Sequence, residues 1–115
     1  MNKLNFLGED CHVELNRYQN GRLAICLVIS KDGEPMTTAT VNLPEIPLLD
    51  GFVFIKNYSE NEGILDLFLK AGIVDEVMGH VPMGFVIIPI CSINKEILET
   101  YTMKDELGFS IYQLN

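Results

Sequence analysis

The stretch Val41–Ile73, VNLPEIPLLDGFVFIKNYSENEGILDLFLKAGI, decides how this chain folds, because strand-like sequence gives way to helix-like sequence within it. Phe52-Val53-Phe54-Ile55 is a short apolar run of strand length, and the polar hinge Asn57-Tyr58-Ser59 follows it. Ser59-Glu60-Asn61-Glu62 then has the form of a capping box, in which the serine oxygen accepts the amide three residues on and Glu62 reaches back to the serine amide. Ile64, Leu65, Phe68, Leu69 and Ala71 recur at three- and four-residue spacing and predict a helix over about residues 60–71 with one face on a sheet. Glu60, Glu62 and Asp66 suit its start, Lys70 suits its last turn, and Gly72 can end it in the left-handed region.

Toward the N-terminus the signal is antiparallel. Leu4 to Leu7 form an apolar run closed by Gly8, and Cys11, Val13 and Leu15 alternate with His12, Glu14 and Asn16 at the period of a half-buried strand. Asn20-Gly21 predicts a type I′ hairpin turn, after which Leu23 to Ile29 is apolar on both faces and reads as the central strand. Lys31-Asp32-Gly33-Glu34 predicts a second turn, with a strand from Met36 to Val41 beyond it. Pro44 and Pro47 remove amide donors, so residues 42–51 form a loop that crosses the protein, pinned by Ile46, Leu48 and Leu49.

Toward the C-terminus, Ile73 to Val81 alternates weakly and Pro82-Met83-Gly84 predicts a turn. Phe85 to Cys91 is a second strongly apolar strand, placed at a sheet edge or bulged by Pro89. Ser92 begins a second helix through Tyr101, and Phe109 to Leu114 alternates like a last strand. The expected architecture is α+β: one domain over residues 1–115, with an antiparallel meander of about five to seven strands packed on one main helix and a second, C-terminal one.

Composition restricts function further. The 115 residues carry 16 Asp and Glu against 8 Lys and Arg, for a net charge of -8, and the cations stand singly, so direct nucleic-acid binding is not expected. Hydrophobic residues at 48% and charged residues at 21% place the chain among folding domains rather than disordered ones. The N-terminus has no apolar signal segment and no run approaches a membrane span, so the expected compartment is the cytoplasm. Cys11, Cys26 and Cys91 form no CxxC pair and leave one over, which speaks against a disulfide framework.

Candidate chemistry is sparse. Cys11 and His12 are neighbours on a strand and point to opposite faces, so no metal site is expected from them. His80 with Cys91 or Cys26 offers a nucleophile and base pairing, but the cysteines stand in apolar strand patterns. The carboxylates at Glu60, Glu62 and Asp66 are accounted for by capping and the helix dipole, and no glycine pattern builds a nucleotide cradle, so no cofactor and no catalytic residue is assigned. What remains is the hinge, where Lys56, Asn57, Tyr58, Ser59, Glu60, Asn61 and Glu62 offer more hydrogen-bonding groups than a turn needs. Tyr58 and Asn57 suit contact with a partner, although Tyr58 is also placed to fold back as a hydrophobic staple.

The motifs Tyr18-x-Asn20-Gly21-Arg22, Asp32-Gly33-Glu34-Pro35, Ala39-Thr40-Val41-Asn42-Leu43-Pro44 and Ile55 to Gly63 with Ala71-Gly72-Ile73 span about residues 11–91. In these the chain resembles an uncharacterised family of small acidic bacterial proteins carried on phages, plasmids and conjugative elements. The resemblance implies an accessory role, such as modulating a host or defence protein, and brings no activity. The function expected is therefore a non-enzymatic interaction protein, monomer or homodimer, whose acidic helix start and hinge meet a protein partner with a basic surface. The alternative is a small-ligand-binding or enzymatic domain with a pocket between sheet and helix.

Overall fold

A computed structural model describes residues 3–106 and 113–114. The chain is α+β, and its strands divide between two sheets. β1 (Lys3–Phe6), β2 (Glu9–Tyr18), β3 (Leu23–Ile29) and β4 (Pro35–Thr38) form the first in that order, all antiparallel. β5 (Thr40–Val41) and β6 (Phe52–Ile55) begin the second, and β7 (Val74–Met83) and β8 (Val86–Ile93) complete it in the order β5-β6-β8-β7. α1 (Ile64–Ala71) lies between β6 and β7 in sequence, and α2 (Lys95–Glu106) follows β8. β9 (Gln113–Leu114) pairs parallel with the end of β2, at Arg17 and Tyr18, so β1 covers the first half of that strand and β9 its last residues. The expected final strand is thus described only at these two residues, and Phe109 to Tyr112 lie outside the described part.

The expected strand from Met36 to Val41 breaks at Ala39, which has no exposed surface. The Ala39 N–H donates to the Ile25 carbonyl in the first sheet at 2.7 Å, and its carbonyl accepts from the Lys56 N–H at the end of β6 at 2.8 Å. One residue therefore serves both sheets, and the chain changes sheet there. Beside it the Tyr18 and Thr40 hydroxyls meet at 2.8 Å, and the Ile25 N–H also reaches Thr40 Oγ1 at 3.3 Å. A joint of this kind buries polar backbone only because each group finds a partner.

α1 packs against β1 of one sheet and β7 of the other. Its buried Ile64 and Phe68 enter a core shared with Leu4, Ile25, Val53 and Ile93, which come from both sheets. Gly72 ends the helix as expected: at φ 73° its N–H bonds the Leu69 carbonyl, and the Ile73 N–H bonds that of Phe68. α2 adds Ile97 and Tyr101 to the core. Its cap is Asn94, whose Oδ1 accepts the Ile97 N–H at 3.1 Å, and not Ser92, which is still in β8.

Turns depart from expectation where a longer loop fits the strands better. At Gln19-Asn20-Gly21 only Gly21 has positive φ, and the Tyr18 N–H donates to the Arg22 carbonyl. This is a three-residue loop with a glycine bulge in place of a two-residue type I′ turn. β7 continues through Pro82 and Met83, so the turn to β8 is Gly84-Phe85. The long loop is held by Arg22, whose guanidinium donates to the carbonyls of Leu43 and Ile46 at 2.6 Å each. Leu49, expected to pin that loop, is 73% exposed.

The β1–β2 turn contains one strained residue. Leu7 has φ 52° beside Gly8 at 85°, the pair of positive angles a type I′ turn requires, and leucine is a poor occupant of that region. Leu7→Asn is expected to raise stability by about 1 kcal/mol, read as a higher urea midpoint with an unchanged slope.

Candidate functional site

The hinge begins where β6 must leave its sheet. β6 pairs β8 as far as Phe54 opposite Ile90. The next residue of β8 on that line is Pro89, which has no N–H to give, so the ladder stops. β8 continues with β7 alone through Val86, while the chain after β6 turns away into Lys56 and Asn57. β8 lies between β6 and β7 in the sheet, but from Pro89 to Val86 it pairs β7 alone, so Pro89 faces a local edge, one of the two placements expected, and the register shifts fall in β7 and not at Pro89.

The hinge residues are largely absorbed by this turn. Lys56 Nζ donates to Glu60 Oε2 at 2.6 Å and sits 5.6 Å from the centre of the Tyr58 ring, so Tyr58 carries a cation on its face. The Lys56 hydrogen bond holds the Glu60 carboxyl below its ordinary range. Asn57 Oδ1 accepts the Leu65 N–H at 2.9 Å and so caps α1 from well before Ile64, where the helix begins. Ser59 has φ 55° and opens a 3-10 turn over Ser59–Asn61, where the Glu62 N–H meets the Ser59 carbonyl at 3.2 Å. The expected capping box is therefore absent, and α1 starts at Ile64, after Gly63 at φ 93°.

The reason for this geometry is Asn61. It has no exposed surface, although it comes from the most polar stretch of the chain. Thr37 Oγ1 donates to its Oδ1 at 2.7 Å, and its Nδ2 donates to the Thr38 carbonyl at 2.9 Å. The 3-10 turn delivers this carboxamide to the end of β4, next to the Ala39 joint. Of the three charged hinge residues, only Glu62 has no ion pair among the described residues.

The hinge nevertheless borders a site. Asn57, His80, Ile87 and Pro89 line an open groove of about 540 Å³ where β6 and β8 have parted. The register puts His80 opposite Pro89 and Pro82 opposite Ile87, so these residues share one face of the β7–β8 hairpin. Asn57 borders it with a carboxamide whose oxygen is already bonded to the Leu65 N–H. His80, Ile87 and Pro89 were not among the expected site residues. The signal that finds them is Gly84 followed by Phe85, a two-residue Gly-X turn that makes residues 74–93 one long hairpin instead of two separate strands. A smaller cavity of about 280 Å³ lies between Asn20–Leu23 and Leu48–Phe52, but the Arg22 guanidinium beside it is committed to backbone carbonyls.

Other chemistry finds no arrangement. Cys91 is fully buried opposite Val77, whereas His80 is exposed opposite Pro89, and no hydrogen bond joins them among the described residues. Burial pushes the Cys91 thiol up to about 11, which keeps it protonated and unreactive at neutral pH. No group of three or more His, Cys, Asp or Glu suited to a metal ion occurs among the described residues. No described helix is long and apolar enough to cross a membrane. No protein-family model, curated protein or solved structure matches the chain.

Two measurements check these roles. Asn61→Ala leaves the Thr38 carbonyl and the Thr37 hydroxyl buried without their partner and is expected to cost about 2–3 kcal/mol in urea unfolding. Asn57→Ala loses a cap and about 1 kcal/mol, while Asn57→Asp keeps the acceptor and most of the stability. The second measurement is pH dependence. The folded Cys91 pKa lies above the unfolded value, so its contribution is complete below about pH 9 and is lost as pH rises through about 11. The stability difference between the wild type and Cys91→Ala should shrink by about 2–3 kcal/mol between pH 8 and pH 11.

Proposed function

We propose that this protein is a non-catalytic interaction protein that holds a protein partner on its β7–β8 hairpin. The observation that carries this reading is the ribbon's exposed apolar side chains: Phe85 in the turn is 109% exposed, Ile87 66% and Met83 41% beside it, and Met78 50% farther along β7. Burying such side chains is a main source of folding energy, yet here they contribute almost none of it. Apolar residues gathered on one projecting element, rather than scattered singly, are the mark of a contact surface. Phenylalanine and methionine are residue types that enrich the centres of interfaces.

The acidic helix start supports contact less well. Glu60 is held by Lys56 at 2.6 Å and Asp66 by Lys70 at 3.0 Å, so two of its three carboxylates are neutralised within the chain. The small-ligand alternative also loses ground. The groove falls within the usual volume range for such sites, but ligand pockets enclose most of their ligand, and this groove is open and bordered by only four of the described residues. It suits one side chain of a larger molecule. An accessory role that modulates a host or defence protein is the setting in which the hairpin would act.

The test is affinity capture with Phe85→Asp and Ile87→Asp beside the wild type. Both positions are exposed, so melting temperatures should stay within about 2 °C while recovery of any specific partner falls at least about tenfold. Equal recovery by wild type and variants removes the hairpin from the interface.

A further inference from the structure

We infer that the ribbon's partner is a second copy of this chain, which pairs strand to strand along the edge of β8 that β6 leaves open. This rests on the reading of the hairpin as the contact surface and names its occupant. Alternate residues of an antiparallel strand turn both backbone groups to the same neighbour. On β8 the Ile93 N–H donates to the Gly51 carbonyl, just ahead of β6, so Cys91, Pro89 and Ile87 face that side as well. The alternation holds along β8 because the register shifts fall in β7. β6 ends at Ile55, and its last pair with β8 is Phe54 with Ile90. The Ile87 N–H and carbonyl are therefore turned to the vacated side, where no hydrogen bond meets them among the described residues. An unpaired donor and acceptor on a regular apolar edge is a template for another strand. Beyond Pro89 nothing guards it, since Phe85 and Ile87 are exposed and no Asp, Glu, Lys or Arg stands between Glu76 and Lys95.

The distribution of charge selects the occupant. At a net charge of -8, two copies repel one another over most of their surfaces. Val77 to Asn94 is the longest stretch of the chain without a charged residue, so two ribbons can meet there without opposing like charges. A strand rich in cations or anions would find no ion pair along this edge. A second copy brings the same edge and the same apolar side chains. About a two-fold axis, each Ile87 receives its missing donor and acceptor from the other copy's ribbon end, and Phe85 and Ile87 of both copies cover one another. The two-fold operation closes, so assembly stops at two. A contact of one short strand edge and a few side chains from each copy belongs with the small, reversible interfaces, those under about 1,200 Å² in total.

The experiment is analytical sedimentation of the full chain from about 1 μM to about 1 mM, with amide hydrogen exchange followed by NMR at about 0.05 and 1 mM. A reversible equilibrium between monomer and dimer is expected. Association should tighten about two- to threefold between roughly 0.05 and 0.3 M salt, because screening weakens the repulsion between acidic copies. The Ile87 amide should exchange about threefold more slowly at the higher concentration, while the Ile88 amide, which faces β7, stays constant. Ile87→Lys, at an exposed position, should leave the melting temperature of the dilute chain within about 2 °C and weaken association at least about tenfold, although it reduces the acidic excess. Leu49→Lys, in the exposed loop, makes the same change in charge and should alter association less than about threefold. A monomer at every concentration overturns the inference. So does assembly beyond the dimer, weaker association at high salt, equal weakening by the two lysines, or an Ile87 amide whose exchange ignores concentration. If the chain stays monomeric while Phe85→Asp still loses a captured partner, the hairpin remains the contact surface and its occupant is another protein.

Discussion

The backbone of Ala39 is the point on which both sheets depend. Its N–H belongs to the first sheet, through Ile25, and its carbonyl to the second, through Lys56. A residue with both groups used in this way cannot shift in register without opening two ladders at once. Two further sets of bonds surround it: Tyr18 with Thr40, and Asn61 with Thr37 and Thr38. Each made bond contributes about 1 kcal/mol net, but a buried group left unpaired costs about 1–3 kcal/mol. The cluster is therefore stable when complete and costly when one member is missing, which fixes the chain crossing more firmly than the apolar contacts alone.

The same cluster explains the polar hinge. Its Asn61 carboxamide is buried and its Asn57 oxygen is bonded to the Leu65 N–H, and the helix start is shaped to make that so. Ser59 adopts a positive φ and gives up its role as a cap because the 3-10 turn must carry Asn61 to the end of β4. Asn57 takes over the capping from a distance. A local preference worth about 1 kcal/mol gave way to a buried carboxamide with two bonds.

Much of the fold was legible because it follows from local rules. The strand from Cys11, the apolar run at Leu23 and the Gly72 stop each follow from one rule, and the structure contains all three, although Asn16, expected on the solvent face, is buried and donates to the Cys26 sulfur. What was not legible depends on partners remote in sequence. MTTATV reads as one strand, since nothing in a period of two marks where a chain leaves one sheet for another; only the small size of Ala39 hints at it. Asn61 stands among exposed polar neighbours, and its burial follows from Thr37 and Thr38, 24 and 23 residues away. At the candidate site, Asn57 was visible as a hinge residue, whereas His80, Ile87 and Pro89 joined it only once the register of β7 on β8 was known. Phe85 reads as the start of an apolar strand because an apolar residue next to an apolar run looks like part of it, and the turn places it outside.

Pro89 links the architecture to the groove. A residue with an N–H at that position could let β6 and β8 pair for longer, drawing Lys56 and Asn57 into the ladder and closing the space between them. Proline ends the pairing, and the two strands separate just where Asn57 must turn to cap α1. The groove is thus not a defect in packing but the consequence of one missing donor. It is bounded on one side by a side chain locked into the helix start and on the other by a strand held only by β7. The rigid side supplies Asn57 in a fixed orientation. The β7–β8 ribbon, which extends beyond the rest of its sheet, carries Phe85 and Ile87 into solvent where a partner can reach them. A fixed polar group beside exposed apolar side chains is an arrangement that binding surfaces need and that folding alone does not.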